Sequence, residues 1–174
     1  MTLTYQAGSL SLTPATLDIT AGFQRIFLAR GVDSASTTFT LVPETFSMSA
    51  GSCDLSNRFA QGILLEARTA TAAGSPDQLE VGFDSESALA SINVHPGEIE
   101  SIEILTSIGN PIGTAINLSE GMIYQFDVVG HDGYGNNIPV FPDWSADPAI
   151  GVVSGDGLLD TTGVHGSGYI TASL

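Results

Sequence analysis

Three histidines, His95, His131 and His165, are the side chains in this 174-residue chain best suited to proton transfer or metal binding. Zinc ligands come in closely spaced pairs of His and Cys, and these three stand far apart, each near Gly or Pro where a loop is expected. Asp132, Tyr134 and Asn136 begin like a calcium loop. However, Asn137 occupies the place of the obligatory sixth-position glycine, and Asp143 that of the closing bidentate Glu, so the run reads as a tight turn. Gly155-x-Gly157-x-x-Asp160 lacks the third glycine of a dinucleotide fingerprint and has no βαβ context. Neither a nucleophile elbow, a zincin motif nor a P-loop occurs. Glu98, Glu100 and Glu103 read as a solvated strand edge whose charge discourages sheet pairing. Cys53 is the only cysteine, so no intrachain disulfide can form, and a buried structural thiol is the expected role. Trp144, the lone tryptophan, would make a sugar platform if exposed; its setting points to the core instead. The Asn117-Leu118-Ser119 sequon would matter only in a eukaryotic secretory setting. The expectation is therefore no catalytic residue, no cofactor and no metal site.

Charge narrows the partners. Nineteen acidic residues stand against four arginines and no lysine, a formal net charge of −15. Such a surface repels phosphate backbones and anionic lipid, which argues against nucleic-acid binding and membrane association. No stretch reaches the roughly 18 apolar residues of a membrane helix. The opening Met1-Thr2-Leu3-Thr4 lacks the basic and apolar regions of a signal peptide, and the chain reads as a small gene product made without secretion.

The elements behind these residues are strands. Hydrophobic residues make up 43% and charged residues 13% of the chain, a palette for short strands and turns rather than long amphipathic helices. Leu10 and Leu12 alternate with serines; Leu79, Val81 and Phe83, then Ala88, Ala90, Ile92 and Val94, alternate with polar residues. Met122, Tyr124, Phe126 and Val128 do the same later on. Turn clusters fall at Ala73-Gly74-Ser75-Pro76-Asp77 and Asp132-Gly133-Tyr134-Gly135-Asn136. The small polar stretch 47–57 reads as a loop. Trp144, Phe126 and Tyr124, together with Phe27 and Phe39, are the expected core aromatics.

The chain also repeats itself. Residues 17–47 align without a gap on 116–146, so Gly22, Phe27, Gly31, Asp33 and Pro43 fall on Gly121, Phe126, Gly130, Asp132 and Pro142. A period of about 100 residues is the size of one β-sandwich domain. His95-Pro96-Gly97 is the natural boundary, because proline removes a ladder donor. The expected architecture is all-β: two tandem immunoglobulin-like antiparallel β-sandwiches, residues 1–95 and 96–174.

The second half carries a further signature. Gly130-His131-Asp132-Gly133-Tyr134-Gly135-Asn136, Trp144-Ser145, Gly155-Asp156-Gly157-Leu158-Leu159 and Gly166-Ser167-Gly168-Tyr169-Ile170-Thr171-Ala172 follow one another in order. Together they resemble the bacterial immunoglobulin-like domains, group 2, over residues 98–174; residues 3–95 share only the repeat frame. The resemblance implies seven-stranded sandwiches serving as spacers or binding modules, without catalytic residues. The function expected is a non-enzymatic structural or surface-interaction protein: a phage virion decoration or accessory protein on the virion surface. The alternatives are a fragment of a bacterial cell-surface adhesin or surface-layer protein, at the cell surface or secreted, and a carbohydrate-binding module with a glycan partner. The expected partner is a protein of a capsid, tail or cell-surface assembly. The first domain holds every arginine and is the expected anchor; the second, with neither Lys nor Arg, is expected to project.

Overall fold

Alternating apolar residues and Gly-rich turns leave the backbone little choice but strands, and strands are what form. A computed structural model describes residues 9–33, 35–59 and 62–174. Among them there is no helix. The chain divides into two compact units, Met1–Gly97 and Glu98–Leu174. Residues 1–8 of the first expected domain lie outside the described residues.

The first unit contains β1 (Ser9–Thr13), β2 (Thr16–Thr20), β3 (Gln24–Val32), β4 (Thr38–Leu41), β5 (Thr45–Met48), β6 (Cys53–Phe59), β7 (Gly62–Ala67), β8 (Asp77–Phe83) and β9 (Glu86–His95). One sheet has the order β1-β3-β7-β6, with β4 also on β3; the other runs β2-β9-β8-β5. The pairing is antiparallel except between β2 and β9, which run parallel from Thr16↔Ser91 to Thr20↔His95. The sheets share one core. Phe27 and Ala29 of β3 and Ile63 and Leu65 of β7 meet Leu79 and Val81 of β8 and Ala90, Ile92 and Val94 of β9. The alternation in β9 decides this, since Ala88, Ala90, Ile92 and Val94 are buried while the residues between them are exposed or half-buried.

The second unit contains β10 (Ser101–Thr106), β11 (Ile123–His131), β12 (Asn137–Pro139), β13 (Asp143–Ala146), β14 (Val152–Val153), β15 (Leu158–Asp160) and β16 (Ile170–Ser173). Its larger sheet has the order β10-β11-β15-β14, with β12 also on β11, and β13 pairs with β16. The fully buried apolar side chains here are Phe126 and Leu159 among the described residues.

The repeat is visible in the backbone. Gly22 and Gly121 both take positive φ (89° and 72°), a conformation that favours glycine, before the long strands β3 and β11. Their N–H groups donate to the carbonyls of Ala67 and Thr161, each one residue past the stretch of β7 or β15 that pairs with the long strand. Phe27 and Phe126 are buried at the same point of β3 and β11. The gapless alignment slips by one residue further on. Phe46 and Met48 are the half-buried positions of β5, while Trp144 and Ala146 hold those positions in β13. The pair Phe46↔Val81 thus corresponds to Trp144↔Ala172.

Several expectations need correction. Phe39, Tyr124 and Trp144 are half-buried rather than core residues. The stretch taken for a polar loop contains β6, whose Cys53 and Leu55 pair with Ala67 and Leu65. Strand pairing there overrides a composition poor in large apolar residues.

Candidate functional site

Asp132 closes the turn between β11 and β12. Its Oδ1 accepts the N–H groups of Tyr134 and Asn136 at 2.9 Å each, and its Oδ2 accepts Asn136 Nδ2 at 2.8 Å. Asp33 does the same between β3 and β4, accepting Ala35 N at 2.9 Å and Thr37 N at 2.8 Å. A short carboxylate bonding the backbone ahead of it is the standard way for Asp to fix a turn. The calcium-like spacing is thus a loop clasp, repeated once in each unit.

The histidines are not brought together. His95 Nε2 lies 3.7 Å from Asp18, His131 Nε2 lies 3.7 Å from Glu103, and His165 Nδ1 lies 3.1 Å from Glu120. Each faces its own carboxylate at or near the surface. Among the described residues, no three His, Cys, Asp or Glu side chains are grouped to hold a metal. Glu103 is exposed on β10, an edge strand of its sheet. Gly155 and Gly157 shape the β14–β15 hairpin, where Gly157 N donates to Ser154 O. Asn117 is exposed in the irregular segment 115–119.

The most elaborate polar cluster escaped sequence reading. Asp77 opens β8 and is 2% exposed. Its Oδ1 accepts Ser49 Oγ at 2.5 Å, Ala50 N at 2.8 Å and Gln78 N at 2.8 Å. Its Oδ2 accepts Ser52 N at 2.9 Å and Ser52 Oγ at 2.7 Å. Burial alone would raise this carboxyl, but the bonds from Ser49, Ser52 and Ala50 outweigh it and hold it well below the usual carboxylate range. The cluster ties the β5–β6 loop to the start of β8. Its signal in the sequence is the Ser-rich run Ser47-Met48-Ser49-Ala50-Gly51-Ser52, but Asp77 lies 25 residues past Ser52, inside what reads as an ordinary turn. Next to it, burial pushes the Cys53 thiol up, which keeps it protonated and unreactive at neutral pH.

Trp144 lies on β13 with its ring beside Gly157, where an added Cβ would stand 3.1 Å from the indole. Trp144 also lines an open cleft of about 420 Å³, with Ala146, Val152, Val153, Asp160 and Thr162. Of the arginines, Arg68 is engaged with Asp54 at 3.0 Å and Glu66 at 2.9 Å. Arg25 and Arg30 are exposed on β3, and the Arg58 side chain lies outside what is described.

No protein-family model matches the chain, and no curated protein matches it. Among solved structures it is similar to domains 5–6 of the S-layer protein SbsC, with 13% identity and a TM-score of 0.42 over 98% of this chain and 92% of that one. It is also similar to human protocadherin-24 EC1-2, with 12% identity and a TM-score of 0.41 over 97% of this chain and 94% of that one. The Yersinia pseudotuberculosis adhesin InvE follows, with 15% identity and a TM-score of 0.40 over 95% of this chain and 47% of that one.

Proposed function

We propose that this chain is a non-enzymatic structural and interaction module, built of two immunoglobulin-like β-units of the bacterial group 2 type and working in a cell-surface assembly as part of an adhesin or surface layer. One observation supports this reading above others. The buried carboxylates serve the scaffold: Asp77 and Asp132 spend their oxygens on backbone and hydroxyl donors that fix loops. The two units also repeat one aspartate clasp, at Asp33 and at Asp132, between corresponding strands, as a spacer would and as an active site would not. The named neighbours, an S-layer protein, a cadherin and an adhesin, are in keeping with it. The virion surface is the competing location.

Within the assembly the first unit is the anchor and the second projects. Arg25 and Arg30 are exposed and suit recognition of an acidic partner, whereas the second unit carries no basic Lys or Arg and repels its neighbours. Gold labelling of intact cells and of phage particles tests the location. Label along the cell envelope supports the reading, and label confined to virions overturns it. A charge reversal, Arg25→Glu with Arg30→Glu, should release the protein from its assembly. Retention of that variant would refute the anchor. A second reading, glycan binding, is favoured by the cleft beside Trp144; a glycan array with Trp144→Ala as the control decides it.

A further inference from the structure

The sheets built on β3 and β11 differ at one row of their outer faces. In the first unit that row is polar. Gln24 of β3 stands opposite Glu66 of β7, and Glu66 opposite Asp54 of β6. Gln24 Nε2 donates to Glu66 at 3.0 Å, and Arg68 joins Glu66 at 2.9 Å and Asp54 at 3.0 Å. One guanidinium thus meets both carboxylates.

The second unit builds the same row from other residues. Ile123 of β11 stands opposite Asp160 of β15, and Asp160 opposite Val152 of β14. The turn glycines bond to Ala67 O and Thr161 O, which makes Asp160 the counterpart of Glu66 and Thr162 that of Arg68. The cation is therefore missing. Asp160 accepts Thr162 N at 2.9 Å, and it makes no ion pair among the described residues. On either side of it Ile123 is 64% and Val152 75% exposed. Aliphatic side chains bared beside a carboxylate mark a contact surface rather than a solvated face. The row faces away from Leu159 and the core, whereas Trp144 of β13 reaches the inner side of the same sheet beside Gly157. Strands added to the β13–β16 sheet therefore do not cover it.

The occupant must bring a cation set among apolar side chains, and this chain carries one. Arg30 is exposed on the outer face of β3, in line with Ile26 and half-buried Leu28. Its neighbours on β1 and β4 are the small Ser11 and Thr40. All nineteen carboxylates lie among the described residues, and none pairs with Arg30. Arg68 is engaged, and Arg25 shares the phase of buried Phe27, so it stands off this face.

We propose that the partner is a second copy of this chain: Arg30 of its first unit seats on Asp160 between Ile123 and Val152, in the role Arg68 plays within the first unit, while Ile26 and Leu28 cover the aliphatic row. Arg among apolar side chains is the composition of a protein interface. The inference rests on the reading of the first unit as the anchor and gives that anchor its acidic partner. Second units still repel one another, so copies join first unit to second. Because the two faces differ, the contact is heterologous and repeats from copy to copy until a ring closes or a filament grows.

Sedimentation of the full chain from micromolar to millimolar concentration tests this. The weight-average mass should at least double. Arg30→Glu and Asp160→Arg should each abolish the rise, and mixing the two variants should restore it, because the reversed charges then face each other. Ile123→Thr with Val152→Thr changes only exposed side chains, so it keeps the test open if Asp160→Arg disturbs the fold. It should weaken association by about tenfold or more, the worth of one aliphatic side chain taken from water. A chain that stays monomeric at millimolar concentration overturns the proposal. So does association that Arg30→Glu or the paired threonines leave intact, and so does a mixture of folded charge variants that stays monomeric. Each of these results leaves the envelope location standing, since gold labelling decides that separately.

Discussion

Replacing Asp77 by alanine should damage the first unit more than an average surface change would. The substitution strands the donors that the carboxylate now satisfies. Those of Ser49, Ala50 and Gln78 are near enough to the surface for water to replace the lost oxygen. Ser52 is 5% exposed, so its N–H and hydroxyl lose their acceptor in a dry place. Each unsatisfied buried donor costs about 1–3 kcal/mol, and two of them give about 2–6 kcal/mol. That is a large part of the roughly 5–15 kcal/mol that holds a domain together. Urea unfolding followed by far-UV circular dichroism, with amide exchange on β8 and β9 to assign the transition, should show the midpoint falling by more than about 1 M. Acid titration gives a second reading. The folded carboxyl lies below its unfolded value, so its contribution is complete above about pH 4 and drains away as pH falls through the folded value. Asp77→Asn should remove that acid-side slope. If Asp77→Ala moves stability by less than about 0.5 kcal/mol, or Asp77→Asn leaves the acid slope intact, the cluster is not the clasp described.

Other predictions address single positions. Gly157→Ala should destabilise the second unit by at least about 2 kcal/mol, because φ is +84° and the new Cβ would sit 2.4 Å from Phe126 O; Trp144 fluorescence during unfolding measures it. Phe27→Ala and Phe126→Ala should each cost about 3–5 kcal/mol by denaturant titration, and near-neutral values would contradict their burial. Cys53 should react slowly with an aromatic disulfide reagent in the folded chain and at once in urea. Its raised pKa means the neutral thiol is favoured on folding, so stability attributable to it is whole at neutral pH and declines in alkali.

The strand content was legible because period-2 alternation is a direct readout of a sheet with one buried face. β9 shows this best, with Ala88, Ala90, Ile92 and Val94 all inward. The repeat also placed Gly22, Phe27 and Asp33 on their partners. What alternation does not encode is how deeply a face is covered. Tyr124 and Trp144 have the residue type and phase of core positions, yet they are half-buried in a unit whose short sheet has two strands. The one-residue slip between β5 and β13 was invisible for a similar reason, since Pro43 and Pro142 kept the alignment in phase. Asp77 was missed because its partners are far away in sequence and none is unusual by itself. Local turn chemistry, by contrast, is self-contained, so Asp132 could be read as a clasp from its neighbours alone.

The parallel pairing of β2 with β9 has a mechanical consequence. Once β1 has peeled from β3, tension on the polypeptide reaches the first unit at β2 and leaves it through β9. Because the two strands run the same way, the load falls in shear across every register from Thr16↔Ser91 to Thr20↔His95 at once. The second unit has no such pair among its described strands, and β16 is held to β13 by antiparallel bonds alone. Under a steady pull the first unit therefore resists as a whole instead of unzipping one strand pair at a time.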